Sequence, residues 1–383
     1  MKADVKPKLV VIGGGATGTG ISREAAERGF EVTLVERGEL GNGTTGRFHG
    51  MLHSGARYAV NDPQVAADCY QENQRLRQIV PTAIADTGGM FVALNDEEAR
   101  HAAVVKVACQ AAGIPVTDIT PEQALQFEPK LSPQIQAAFL VPDGFIDGAE
   151  VLRLNHLAAM QADTPARFLT NHAVTGLNLQ NGNIVSVAVR NELTGEQNCL
   201  EADYVINAAG VWAGRVASLA QLKLEMVFDK GSMIVFKDQL SQRVLNRCRP
   251  EDDGDLLVPC GDQSIMGTTA RVTADPDDCV PTQEEVDALL AEGAEMVPSL
   301  RGAEATRIYA GVRPLFNSGE FTPINSDSRA ISRSFRVIDH QSEGVDNFMS
   351  VIGGKVTLFR LMSEVAVEKL LAKTKSQQMK KAP

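Results

Sequence analysis

What these 383 residues lack narrows the reading first. The six cysteines (Cys69, Cys109, Cys199, Cys248, Cys260 and Cys279) are scattered, and no two stand in C-x-x-C spacing. That argues against zinc, iron–sulfur and redox-dithiol sites. They read as ordinary thiols of a reducing compartment, so the expected location is the cytoplasm. No apolar run approaches the roughly 20 residues that span a bilayer. Met1-Lys2-Ala3-Asp4 leads toward a strand rather than a signal-peptide core. The expectation is a soluble chain, or at most one peripheral on the inner face of the cell membrane. Positive charge is also in deficit: the formal net charge is -11, which opposes non-specific attraction to nucleic acid or anionic lipid. An anionic ligand must therefore be held by a local cluster of arginines. No internal repeat, low-complexity tract or flexible linker is visible. A chain of this length exceeds one ordinary core, so two domains are expected to interleave along the sequence.

Composition is that of a folded globular protein, 44% hydrophobic and 22% charged. Residues 8–36 read strand, glycine turn, helix, strand, a βαβ unit. Helix starts are signalled by Asp62-Pro63, by Asp96-Glu97-Glu98, and by Thr120-Pro121 with Gln123 at the capping-box position. From about 166 to 207 short apolar strands suggest a small β-meander, with Asn181-Gly182 as its hairpin turn. Strands at 226–237, 255–267 and 305–312, and a helix opened by Thr282 with Glu285 three residues on, suggest a mixed second domain. The chain returns to strand-then-helix at 347–372.

Gly13, Gly15 and Gly18 fit G-x-G-x-x-G in the required context, after an apolar strand and opening a helix. The first permits a tight turn, the second lets the backbone approach a pyrophosphate, and the third allows close helix–strand packing. The helix N-terminus, at Ala16 and Thr17, offers unpaired N–H groups to phosphates. Glu36 ends the second strand, where a carboxylate would accept hydrogen bonds from ribose hydroxyls. The motif identifies a dinucleotide site without separating FAD from NAD. Two further segments bear on that choice. Asn207-Ala-Ala-Gly210 ends an apolar strand with small residues that would let a second backbone segment pass close to the dinucleotide. Gly353-Gly354-Lys355 follows another strand and is expected to open a helix, whose dipole and lysine would favour the negative charge of reduced flavin.

On these residues the sequence resembles the FAD-dependent glycerol-3-phosphate dehydrogenases, and within them the large catalytic subunit of the anaerobic bacterial enzyme. The resemblance runs over nearly the whole chain. It rests on Ile12-Gly-Gly-Gly-Ala-Thr-Gly18, Gly46-Arg-Phe-His-Gly-Met-Leu-His-Ser-Gly-Ala-Arg-Tyr58, Val205-Ile-Asn-Ala-Ala-Gly210, Asp229-Lys-Gly-Ser232, Ile265-Met-Gly-Thr-Thr269, Tyr309-Ala-Gly-Val-Arg-Pro314 and Gly353-Gly-Lys-Val-Thr357. It implies an α/β fold of the D-amino-acid-oxidase type: a Rossmann-like FAD-binding domain interleaved with a mixed α+β, antiparallel-sheet substrate domain. The expected division is 1–86, 147–224 and 330–383 for the first, and 87–146 and 225–329 for the second. It implies oxidation of sn-glycerol 3-phosphate to dihydroxyacetone phosphate by hydride transfer from C2 to flavin N5. Electrons would pass to quinone, through membrane-anchoring or electron-relay subunits. Arg37, Thr45, Gly46, Ala209, Gly210, Val356 and Thr357 are expected beside FAD with the glycines, Glu36 and Lys355. In one respect the sequence departs from the family: the large subunit continues into a cysteine-bearing C-terminal region, whereas this sequence stops at Pro383 after Lys380-Lys381.

Glycerol 3-phosphate is a near-dianion, and guanidinium groups meet phosphate oxygens with planar, bidentate hydrogen bonds. Arg57, Arg313 and Arg333 lie in segments that match the family's pocket and are the expected phosphate ligands. Arg313 precedes Pro314, which biases it toward an extended conformation at a strand end. Loss of hydrogen from C2 must be coupled to loss of the hydroxyl proton, which calls for a base with a pKa near the working pH. His53 is the first candidate and His49 the second, against the alternative of histidines that merely pack beneath the flavin. Tyr58 is read either as a donor to the substrate or as a core tyrosine. Lys355 either balances reduced flavin or orients the developing carbonyl oxygen. Thr268 and Thr269 either line the pocket, with Thr269 the expected substrate contact, or serve the strand alone. Two other readings stay open. One is an FAD oxidoreductase of the same fold acting on a 2-hydroxy acid or amino acid, where one arginine would suffice. The other is a non-catalytic flavin-bound electron-transfer or scaffold subunit.

Overall fold

The computed structural model describes residues 6–316 and 328–381. Met1-Lys2-Ala3-Asp4 and the side chains of Lys380 and Lys381 lie outside the described residues. The βαβ unit forms as read: strand Lys8–Ile12, helix Ala16–Glu27, strand Glu31–Val35. Those two strands sit within a six-stranded sheet. Its order is Phe335–Asp339, Phe348–Gly353, Tyr204–Asn207, Lys8–Ile12, Glu31–Val35, Arg167–Leu169. All pairings are parallel except that of Phe335–Asp339.

Both faces of this sheet are covered at its centre, and the central strand Lys8–Ile12 is accordingly a nearly continuous run of Leu, Val and Ile. Side chains alternate along a strand with period 2. Leu9 and Val11 accordingly pack with Ile21, Ala25, Met362, Ala366 and Leu370 of two helices. Val10 and Ile12 pack with Leu177, Ile184 and Val187. The latter belong to the antiparallel meander His172–Gln180, Asn183–Asn191 and Gln197–Glu201, joined at its first turn by Asn181 (φ 51°) and Gly182 (φ 75°). Helix Ala16–Glu27 lies so close to helix Phe359–Lys381 that a Cβ at Gly20 would stand 2.4 Å from Ser363 Oγ.

The second sheet has nine strands. All but one of its pairings are antiparallel; Val244–Arg247 runs parallel to Gly89–Ala93. The strand Met226–Phe236 pairs with Gln263–Gly267, with Arg271–Thr273 and, along its full length, with Ala305–Phe316. Helices Pro121–Phe127 and Gln283–Met296 carry the capping boxes read from Thr120/Gln123 and Thr282/Glu285. Among the described residues no helix is long and apolar enough to cross a membrane.

Three local expectations are corrected. Residues 255–267 form a hairpin, Leu256–Cys260 and Gln263–Gly267, because Gly261 turns the chain at φ 62°. Arg313 is not at a strand end; Ala305–Phe316 runs past it, with Asp229 as its cross-strand partner. Pro314 is tolerated there because, among the described residues, Met226–Phe236 is the one neighbour of this strand, so an edge is free of ladder hydrogen bonds. Gly353-Gly354-Lys355 does not open the final helix directly. Both glycines are left-handed (φ 85° and 73°), and a 3-10 turn, Val356–Leu358, precedes helix Phe359–Lys381.

Candidate functional site

One continuous cavity of about 880 Å³ is lined both by the glycine turn and by Arg313 of the second sheet. At the turn, Gly13 has φ 113°, and a Cβ there would stand 2.4 Å from the carbonyl oxygen of Ala208. Only a bare backbone lets the two strand ends meet. Gly15 is the N-cap of helix Ala16–Glu27, with no side-chain cap and no acidic residue in the first turn. Helix N–H groups are thus left for an anion. The Ala16 N–H donates to Thr45 Oγ1 at 3.0 Å. The Glu36 carboxylate accepts from the backbone N–H of Gly14 (2.7 Å) and of Gly38 (2.8 Å), which fixes it beside the turn. The Arg37 guanidinium lies 4.5 Å from the centroid of Trp212, whose Nε1 donates to Asp277 at 2.8 Å.

Gly13, Gly15, Ala16, Thr17, Glu36, Arg37, Thr45, Ala209, Gly210, Gly353, Gly354, Lys355 and Val356 all line this cavity. Three expected cofactor contacts do not. A Cβ on Gly18 would stand 1.8 Å from the Gly13 carbonyl oxygen, so this glycine serves the packing of helix on turn. Gly46 faces the carbonyl of Gly41 in the same manner. Thr357 is fully buried, and its hydroxyl accepts the His53 N–H at 3.1 Å.

Three parts of the chain supply the cations: strand Ala305–Phe316 gives Arg313, the segment after Gly46 gives Arg57, and the stretch leading into strand Phe335–Asp339 gives Arg329 and Arg333. Arg57 sits in a 3-10 turn, Ala56–Tyr58, that follows Gly55 (φ 96°). Its Nη1 donates to Asn246 Oδ1 at 3.3 Å, and its Nε is 3.8 Å from Glu251. Arg313 donates from Nη1 to Asp229 at 2.6 Å and from Nη2 to Thr268 Oγ1 at 2.6 Å and to the Thr269 carbonyl at 3.1 Å. Arg333 shares Asp229 Oδ2 at 3.2 Å. Arg57, Arg313 and Arg333 all line the cavity, as does Arg329, which pairs with Asp253. Thr269, expected at the substrate, is corrected. Its buried hydroxyl accepts from the Ser232 N–H and donates to Glu285 at 2.9 Å, while its neighbour Thr268 faces the cavity.

His49, His53, Tyr58 and Lys355 complete the wall. Lys355 Nζ donates to the Arg333 carbonyl at 3.0 Å and lies 4.2 Å from the centre of the Tyr58 ring, a cation–π contact. Burial, with the Arg333 charge adding to it, holds its ammonium below the usual lysine range. His49 Nδ1 accepts the Met51 N–H at 3.1 Å, so its neutral form carries the proton on Nε2 and is a donor toward the cavity. Burial, followed by the Arg313 and Arg57 charges, pushes its pKa down to about 3. His53 is buried, and Nδ1 has no hydrogen-bond partner. Burial first, then His49, Lys355 and Arg57, keeps this imidazole well below the ordinary histidine value, hence neutral at pH 7.

Sequence reasoning assigned no role to Asp229, Asn246, Glu251 or Arg329. Asp229 lay in plain view, in Asp229-Lys-Gly-Ser232, but its partners are distant in sequence. Arg329 carried no local signal at all.

Comparison with known proteins matches residues 8–354 to the family described as "FAD dependent oxidoreductase". The chain is 41% identical over 368 residues to the A-type chain of the anaerobic glycerol-3-phosphate dehydrogenase of Escherichia coli K12, covering 95% of this chain and 67% of that protein. Among solved structures, glycine oxidase from Geobacillus kaustophilus superposes with a TM-score of 0.76 at 20% identity, covering 95% and 94% of the two chains. The FAD-bound L-alpha-glycerophosphate oxidase of Mycoplasma pneumoniae does so with a TM-score of 0.75 at 21% identity, again over 95% and 94%. At these identities the two structures speak for the fold alone.

Proposed function

The chain belongs to the FAD dependent oxidoreductase family, and on that premise we propose that it oxidises sn-glycerol 3-phosphate to dihydroxyacetone phosphate. The observation that carries the reading is the convergence of Arg57, Arg313, Arg333 and Lys355 on the cavity that Gly13–Gly15 and His53 also line. A carboxylate substrate, singly charged, needs one guanidinium; several on one wall match a doubly charged phosphate.

FAD fits the residues present. The backbone approach at Gly13, the uncapped helix start after Gly15 and the fixed Glu36 carboxylate would hold its pyrophosphate and ribose. When bound, FAD supplies a two-electron acceptor for the hydrogen on C2. The chain does the rest. Arg57, Arg313 and Arg333 bind the phosphate and so fix which carbon of the glycerol presents its hydrogen. His53 takes the C2 hydroxyl proton onto its imidazole as that C–H bond breaks and the C2 carbonyl forms. Burial and its neighbours depress its pKa well below the near-working-pH value expected of the base, so what the fold provides is a neutral acceptor rather than a strong one. Its neighbour His49 is the weaker candidate because its Nδ1 is already used. Lys355 places positive charge beside the oxygen that becomes the carbonyl, and Tyr58 holds the ammonium there through its ring.

The two sheets support the division of the chain into a cofactor part (1–86, 147–224, 330–383) and a substrate part (87–146, 225–329), since the six-stranded sheet draws its strands from the first and the nine-stranded sheet from the second. The Escherichia coli relative is by name one subunit of its enzyme, which supports partner subunits here too; the proposal places them at the membrane, with quinone as the eventual acceptor. The test is anaerobic addition of glycerol 3-phosphate to the purified holoprotein while following the visible flavin band. Rapid bleaching by this substrate, and none by D-amino acids or lactate, is expected. Bleaching by an amino acid or lactate alone would replace the reading.

A further inference from the structure

Asp229 is wholly buried, yet it is a carboxylate with no role in the reaction as described. It stands directly opposite Arg313 in the pairing of Met226–Phe236 with Ala305–Phe316. Its Oδ2 accepts from Nη1 of both Arg313 (2.6 Å) and Arg333 (3.2 Å), and its Oδ1 accepts from Ser328 Oγ (2.9 Å). Two residues along the same strand face, position 231 is glycine. A Cβ there would stand 2.3 Å from Arg313 Nη2, in the space the guanidinium occupies, and 2.9 Å from the Thr269 carbonyl oxygen. Burial alone would push the carboxyl of Asp229 up, but the Arg313 and Arg333 charges and the Ser328 hydroxyl outweigh it and hold it ionised.

A long arginine side chain at a cavity wall has many rotamers, and two like charges side by side repel. A single buried anion between two guanidiniums removes both problems. It neutralises one of the two charges and fixes the orientation of each planar group, and the missing side chain at Gly231 leaves the path open. We infer that Asp229, with Gly231, is a positioning device for the anion site: it gathers Arg313 and Arg333, which arrive from different segments, into one ordered pair at the cavity wall. This deepens the reading of those arginines as phosphate ligands and rests on it.

The test uses the FAD-loaded protein and two variants. Asp229→Asn keeps shape but removes the charge, and Gly231→Ala displaces the Arg313 guanidinium without altering any charged group. In both, KM for glycerol 3-phosphate is expected to rise by about tenfold or more, the scale of one charge-assisted hydrogen bond, while kcat falls by less. The dissociation constant of inorganic phosphate, read from the difference spectrum of the oxidised flavin, should rise in parallel, with flavin content of both variants near that of the parent. If both variants keep KM and phosphate affinity within about twofold, the inference is overturned. It is equally overturned if kcat falls in step with flavin loss and lowered Tm while KM stays within about twofold of the parent's, since that is the mark of a purely structural carboxylate. Should the parent fail to bleach with glycerol 3-phosphate while phosphate binding still weakens in the variants, the substrate reading fails and the positioning role stands.

Discussion

Replacement of His53 by glutamine tests the proton-accepting role against the structure's electrostatics. The imidazole is 5% exposed. Burial and the charges around it place its pKa well below the ordinary 6.5. An unperturbed histidine base would be about three-quarters protonated at pH 6 and about 97% at pH 5, so kcat/KM would fall about fourfold and thirtyfold. With its pKa depressed, His53 stays neutral through that range, and any loss near pH 6 comes from the substrate's own phosphate, whose second pKa is about 6. His53→Gln should lower kcat by about 10²–10⁴-fold and leave the shape of the profile between pH 5.5 and 8 unchanged. Stability moves in the matching direction. The folded-state pKa lies below the unfolded one, so on acidification the unfolded chain takes the proton first. The contribution is therefore complete above pH 6.5 and is lost as pH falls, by up to about 2 kcal/mol between pH 6.5 and 5. Glutamine removes that slope, which calorimetry across this range would register. The reasoning is refuted if the variant keeps more than about a tenth of kcat. It is also refuted if the parent shows a group titrating near 6.5 that vanishes in the variant.

Further perturbations separate binding from packing. Arg57→Ala and Arg313→Ala should each raise KM by about 10–100-fold, the loss of one or two charge-assisted hydrogen bonds; normal steady-state kinetics in both would remove the phosphate clamp. Gly18→Ala drives a Cβ to 1.8 Å from the Gly13 carbonyl, so flavin content of the purified protein should collapse, and full occupancy would contradict the packing role. Thr269→Val removes a hydroxyl bonded to Ser232 and Glu285. It should cost about 2–4 kcal/mol in denaturant unfolding and leave KM within about twofold, whereas a large KM change would restore Thr269 to the substrate.

What the sequence by itself determined is what is encoded within one turn, one strand or one cap. The βαβ unit follows from apolar periodicity and from Gly13, Gly15 and Gly18. The hairpin at Asn181-Gly182 follows from the left-handed tolerance of those residues. Helices at Pro121 and Gln283 follow from reciprocal hydrogen bonds that span only three residues. Arg57, Arg313 and Arg333 were legible as a chemical type suited to phosphate. The tertiary structure alone decided which side chains meet and which way they turn. Arg313 and Asp229 are 84 residues apart and become partners only through strand register. Thr268 and Thr269 are sequence neighbours with different surroundings: Thr268 Oγ1 accepts from Arg313 at the cavity wall, while Thr269 Oγ1 is buried between Ser232 and Glu285, partners that only folding brings to it. The neutrality of His53 belongs to no residue in its own segment alone, since it arises first from burial and then from its neighbours His49, Lys355 and Arg57, which folding brings together.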